Sequence, residues 1–230
     1  MVRLPLVATC LLSLSSAARG EIVVDHPPRN FGGFASDTEF LDDFGFPLWQ
    51  RVADDFVLGS DATIRQIQFF GFYHLDNPPS SETFRIRFYG SRAHDGLPDD
   101  ANIISEQVFS DPLREWTGRI VFTGVGPREY SFALDLAVPV LLAQDVPYWL
   151  EIVQMGDPST RFRWEQSEAD LNGLAAINPI VPDWQSSSPA ITDAAFQLNT
   201  VPEPASALLV LLAGALGRSI CRRKEMMPME

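Results

Sequence analysis

Phe84-Arg85-Ile86-Arg87-Phe88 alternates apolar and charged side chains one for one. Successive side chains of an extended chain point to opposite faces, so Phe84, Ile86 and Phe88 share one face and the two arginines the other. This predicts a strand with one side on a core. The same period returns in Tyr130-Ser131-Phe132-Ala133-Leu134-Asp135-Leu136, in Tyr148-Trp149-Leu150-Glu151-Ile152-Val153 and in Arg161-Phe162-Arg163-Trp164-Glu165. Residues 64–73 are more continuously apolar, as a central strand would be. Shorter candidate strands are 54–58, 103–109, 119–123 and 194–198.

Turn chemistry separates these runs. Asp76-Asn77-Pro78-Pro79-Ser80, Asp95-Gly96-Leu97-Pro98-Asp99, Gly124-Val125-Gly126-Pro127 and Met155-Gly156-Asp157-Pro158 combine residues that fix or free the backbone dihedrals. Many strands, Pro/Gly turns and no amphipathic helix predict an all-β domain, an antiparallel β-sandwich or jelly roll. The sandwich is expected over 49–200, after an N-terminal extension at 21–48.

Composition narrows the function classes. Residues 21–204 hold 28 acidic and 11 basic side chains, a formal charge of −17, and Lys224 is the only lysine in the chain. Such a surface repels phosphate backbones, so no nucleic-acid partner is expected. Both cysteines, Cys10 and Cys221, lie outside 21–204. The domain therefore has no disulfide, thiolate zinc site or cysteine nucleophile. The 16 Phe and 5 Trp of the chain must supply stability by burial.

The two ends carry addresses. Residues 1–20 read as a secretory signal peptide: Arg3, an apolar run at 4–14 too short to span a bilayer, then Ser15-Ser16-Ala17-Ala18. At the other end, Pro202-Glu203-Pro204 precedes an apolar run containing Leu208, Leu209, Val210, Leu211, Leu212 and Leu216, and Arg222-Arg223-Lys224 follows. The prolines favour a clean helix start after them. A single hydrophobic helix over 205–221 is marginal against the roughly 20 residues a span requires. Arg222, Arg223 and Lys224 would stay cytoplasmic and set the topology, leaving everything before them outside.

Residues 202–224 resemble a PEP-CTERM sorting domain, the tripartite tag of bacterial exosortase substrates, and Pro202, Glu203 and Pro204 match its signature. The resemblance implies that 201–230 is a sorting tag retained transiently in the membrane. It also implies cleavage near the motif by an exosortase-like sorting protease, and delivery to the cell surface or the extracellular matrix. The expected partners are the secretory machinery, that protease and extracellular polysaccharide. Trp49 with Ala53-Asp54-Asp55-Phe56, Tyr148-Trp149-Leu150, Phe162-Arg163-Trp164 and Asp193-Ala194-Ala195-Phe196 resemble functionally unassigned sandwich domains found beside this tag.

Catalytic patterns are sparse. The three histidines, His26, His74 and His94, have no paired metal spacing, and Gly-x-Ser-x-Gly, phosphate loops and dinucleotide fingerprints are missing. The expectation is a structural or interaction protein, not an enzyme. The alternatives are a carbohydrate-binding module and, further off, a glycoside hydrolase, which needs two carboxylates about 5 to 9.5 Å apart in a cleft. Asp54 and Asp55 point oppositely in a strand, so only one of them can join Asp193 in a Ca²⁺ site; otherwise no cofactor is expected. The competing reading is a strand carboxylate that accepts backbone hydrogen bonds. Trp149, Trp164 and Trp184 are the candidates for stacking on sugar faces.

Overall fold

The computed structural model describes residues 20–41, 47–124, 126–156, 160–167, 174–177, 183–186 and 193–200. Residues 1–19 of the expected signal peptide and the whole expected sorting tag, including Pro202, Glu203, Pro204, the helix expected over 205–221 and Arg222, Arg223 and Lys224, lie outside the described residues. Among those residues, no helix is long and apolar enough to cross a membrane. Residues 22–200 form one compact unit.

The chain runs through β1 (Ile22–His26), β2 (Pro28–Ala35), β3 (Asp37–Leu41), β4 (Pro47–Val57) and β5 (Ala62–Tyr73). It continues through β6 (Thr83–Ser91), β7 (Pro98–Ser110), β8 (Leu113–Ile120), a helical turn α1 (Val121–Gly124), β9 (Arg128–Leu142) and β10 (Pro147–Met155). The last strands are β11 (Phe162–Ser167), β12 (Ala175–Ile177), β13 (Gln185–Ser186) and β14 (Phe196–Thr200).

These strands make two sheets. In the first, β9 runs along one side of β5, while β14 and then β11 occupy the other; β1, β2 and β8 extend it outward. In the second, β6 and then β7 flank one side of β10, with β4, β3, β12 and β13 on the other. Every ladder is antiparallel except the single β10–β3 pairing.

The sheets are joined by a continuous apolar interior. Phe69 of β5 lies 5.2 Å from Phe84 of β6, and Phe84 lies 5.2 Å from Phe132 of β9, ring centre to ring centre. The fold is a β-sandwich, and the face of β6 expected to be apolar is the buried one. Its close packing constrains single positions. β11 is threaded between Gly71 of β5 and Gly33 of β2. A Cβ at Gly71 would stand 2.5 Å from the Phe162 ring, and one at Gly33 would stand 2.4 Å from the Trp164 carbonyl oxygen.

Three expectations are corrected. Residues 21–48 are not an extension: β1, β2 and β3 are integral to the two sheets, because β14, β11 and β4 each need a partner for their backbone groups. Residues 119–123 are not a strand: β8 stops at Ile120, and Phe122 adopts φ 60°, a left-handed conformation that breaks extended pairing. β10 is buried on both faces, not one. Its outer face is covered by Ala175 and Trp184, from segments too short in pattern to announce a covering layer.

Candidate functional site

Asp54 sits in β4 between Val52 and Phe56, so its side chain joins theirs on the inter-sheet face, while Asp55 turns outward opposite Trp149. One carboxylate therefore enters the interior. Asp54 Oδ2 accepts a hydrogen bond from the Ala194 backbone N–H at 3.1 Å, and His26 Nδ1 lies 3.2 Å from the same oxygen. Asp54 Oδ1 is buried with no hydrogen-bond partner among the described residues.

His26 is the last residue of β1, and its ring packs 4.6 Å from that of Phe196, its register partner in β14. Asp193 precedes the Ala194–Gln166 bridge that leads into β14. Asp54 and Asp193 are 0% and 1% exposed. One ligand atom each from His26, Asp54 and Asp193 falls within 4.8 Å of the others. Of the candidate acids, Asp54 and Asp193 lie together, Asp55 is not among the three, and His26 completes the group. No spacing in the sequence could reveal His26, because the three residues converge only through sheet pairing.

Burial dominates the electrostatics. Loss of solvent, then repulsion from Asp193 and Asp55, pushes the Asp54 carboxyl well above the usual carboxylate range. Burial lowers the His26 imidazole against the pull of Asp193, Asp55 and Asp25, so the ring is neutral at pH 7. Two buried acidic side chains therefore face an uncharged imidazole.

A second polar cluster lies on the outer face of the second sheet, the sheet that carries Asp54. Glu151 Oε2 accepts from Arg51 Nε at 2.7 Å and from the Tyr89 hydroxyl at 2.8 Å; Oε1 accepts from Arg85 Nη2 at 3.2 Å. The Arg51 guanidinium also lies 4.9 Å from the Trp184 ring centre. β4, β6 and β10 are clamped together by one carboxylate. The arginines of β6 that signalled a solvent face instead surround this buried anion.

The tryptophans singled out for sugar stacking are all buried. Trp149 Nε1 donates to the Gly96 carbonyl at 2.9 Å, Trp164 Nε1 donates to the Ala195 carbonyl at 2.9 Å, and Trp184 packs edge-on against Tyr89. Their faces are taken up by the fold. Among the described residues Phe31, Trp116 and Phe122 are exposed aromatics, and Phe122 lines a pocket of about 530 Å³ together with Phe72, His74, Leu75, Asp76, Gly126, Pro127 and Arg163. Phe122 stands edge-on to Phe72 at 6.0 Å and is half exposed. Leu75, Asp76 and Phe122 hold φ of 57°, 53° and 60°. Such conformations are costly for side chains of this kind and concentrate at binding sites. The signal for this pocket was hidden, since Leu75 and Phe122 belong to no motif and Asp76 reads only as the start of a turn.

The family model described as Domain of unknown function (DUF7901) matches residues 25–199. No curated protein matches the chain.

Proposed function

This chain belongs to the DUF7901 family, and on that premise we propose that it is an exported interaction protein of the bacterial surface or extracellular matrix. Its sandwich is the displayed, non-catalytic part, and the Pro202-Glu203-Pro204 tag is the address. The secretory machinery exports it, an exosortase-like protease removes the tag, and the membrane association is transient.

One observation carries this reading. Thr200, the last residue before the tag, pairs with Ile64 at the start of β5, whereas the pocket residues Phe72 and His74 lie at or just past its far end. The eight-residue step from Ile64 to Phe72 spans about 26 Å at about 3.3 Å per residue. A domain held by its C-terminal end would carry the aromatic pocket away from its point of attachment. That is the arrangement a displayed binding surface needs.

The same pocket favours a carbohydrate as ligand. An exposed phenyl face at Phe122 suits the apolar side of a pyranose, and Asp76 and Arg163 offer an acceptor and donors for hydroxyls. Intact-mass measurement of the protein from its native host tests the sorting half. The expected species begins after residue 18 or 20 and ends near Pro204; a surface species retaining residues 1–230 would refute the processing. A glycan array with wild-type protein and Phe122→Ala tests the ligand half. Binding that Phe122→Ala abolishes supports it, and an array on which wild type binds nothing rejects it.

A further inference from the structure

We propose that His26, Asp54 and Asp193 bind one transition-metal dication, zinc(II) in the first instance, between the two sheets. The donors come from the end of β1, the middle of β4 and the approach to β14, and their ligand atoms already lie within 4.8 Å of one another. The 3.2 Å separation of His26 Nδ1 and Asp54 Oδ2 is close to the roughly 3.4 Å edge of a tetrahedron with metal–ligand bonds of about 2.0–2.1 Å. A metal entering between these atoms needs little movement of the backbone that holds them.

The interior also contains a group for the cation to satisfy. Asp54 Oδ1 is buried without a partner among the described residues, an arrangement that costs free energy unless it is compensated. The Ala194 N–H bond to Asp54 Oδ2 holds the carboxylate in place, as hydrogen bonds do for metal-ligating carboxylates. The donor set selects the ion class. Ca²⁺ takes six to eight oxygen ligands, whereas one imidazole with two carboxylates suits zinc and its first-row neighbours. The site would tie both ends of the domain to the opposite sheet, a cross-link for a domain that contains no cysteine.

The test uses the full-length chain, stripped with chelator and titrated separately with Zn²⁺, Co²⁺ and Ca²⁺. One Zn²⁺ per chain by calorimetry and elemental analysis is expected, with a higher melting temperature that chelator reverses. His26→Gln and Asp193→Asn should each weaken Zn²⁺ binding by roughly 100-fold. Should either variant fail to fold, Co²⁺ on the wild-type chain provides the check, because a nitrogen and oxygen site absorbs visibly. No Zn²⁺ uptake and no Co²⁺ band overturn the site, leaving His26–Asp54 as a plain hydrogen bond. Uptake unchanged in both variants, or stabilisation by Ca²⁺ alone, overturns it equally.

Discussion

Glu151 shows how one residue holds three strands. Its carboxylate is buried, and Arg51, Arg85 and Tyr89 all donate to it. Removing it strands guanidinium groups that have lost their counter-charge in a poorly hydrated layer. Glu151→Ala should cost about 3–5 kcal/mol, measured by urea unfolding. Glu82 is a different case: it accepts a hydrogen bond from the Tyr73 hydroxyl and pairs with Arg114 at 3.2 Å, yet burial outweighs both and raises its pKa from 4.5. A carboxyl raised in the folded state stabilises most below its unfolded pKa, and that contribution is lost as pH rises through the folded value. The melting temperature should therefore lose a component on raising the pH from about 4.5. In Glu82→Gln the profile should be flatter there; an unchanged profile would assign the dependence to other groups. At this scale the sequence was half legible. Asp54 and Asp55 stand out as an acidic pair with Asp193 as a candidate companion, but His26 and Glu151 owe their roles to neighbours 28 and 100 residues away.

Among the elements, period two located β6, β9 and β11 because each buries one face on a common interior. It misjudged β10, where alternation between Leu150 and Glu151 suggests a wet face although a buried ion cluster lies there. Polar letters do not distinguish solvent from a buried salt bridge. Nor could pattern reveal β1 to β3, whose short runs are strands only because longer strands offer them open edges. The squeezed strand β11 gives this scale its prediction. Gly71→Ala puts a methyl 2.5 Å from the Phe162 ring and 2.7 Å from the Arg163 carbonyl oxygen, neither of which can yield without moving the β5–β11 ladder. A loss of about 1–3 kcal/mol is expected by chemical denaturation. A neutral result would mean that the ladder is looser than its geometry.

For the whole molecule, stability rests on burial and polar clamps, since the compact unit 22–200 contains no cysteine. Dithiothreitol should leave its unfolding midpoint unchanged, and a lowered midpoint would show that Cys10 or Cys221 helps to hold it. The sandwich class was readable from period and turns, and its acidic surface from composition. The position of the open pocket was not, because β5 alone sets its distance from Thr200, and pairing partners are invisible in a linear string.

The pairing of Ile22 with Asn199 has a practical corollary. First and last strands lie side by side, so the polypeptide describes a nearly closed circuit. A short bridge could join them covalently, and the circuit could be opened afresh at the exposed Gly59-Ser60 bend between β4 and β5. The resulting circular permutant should keep the same architecture while relocating its free ends, making it a ready scaffold for insertion of a second module.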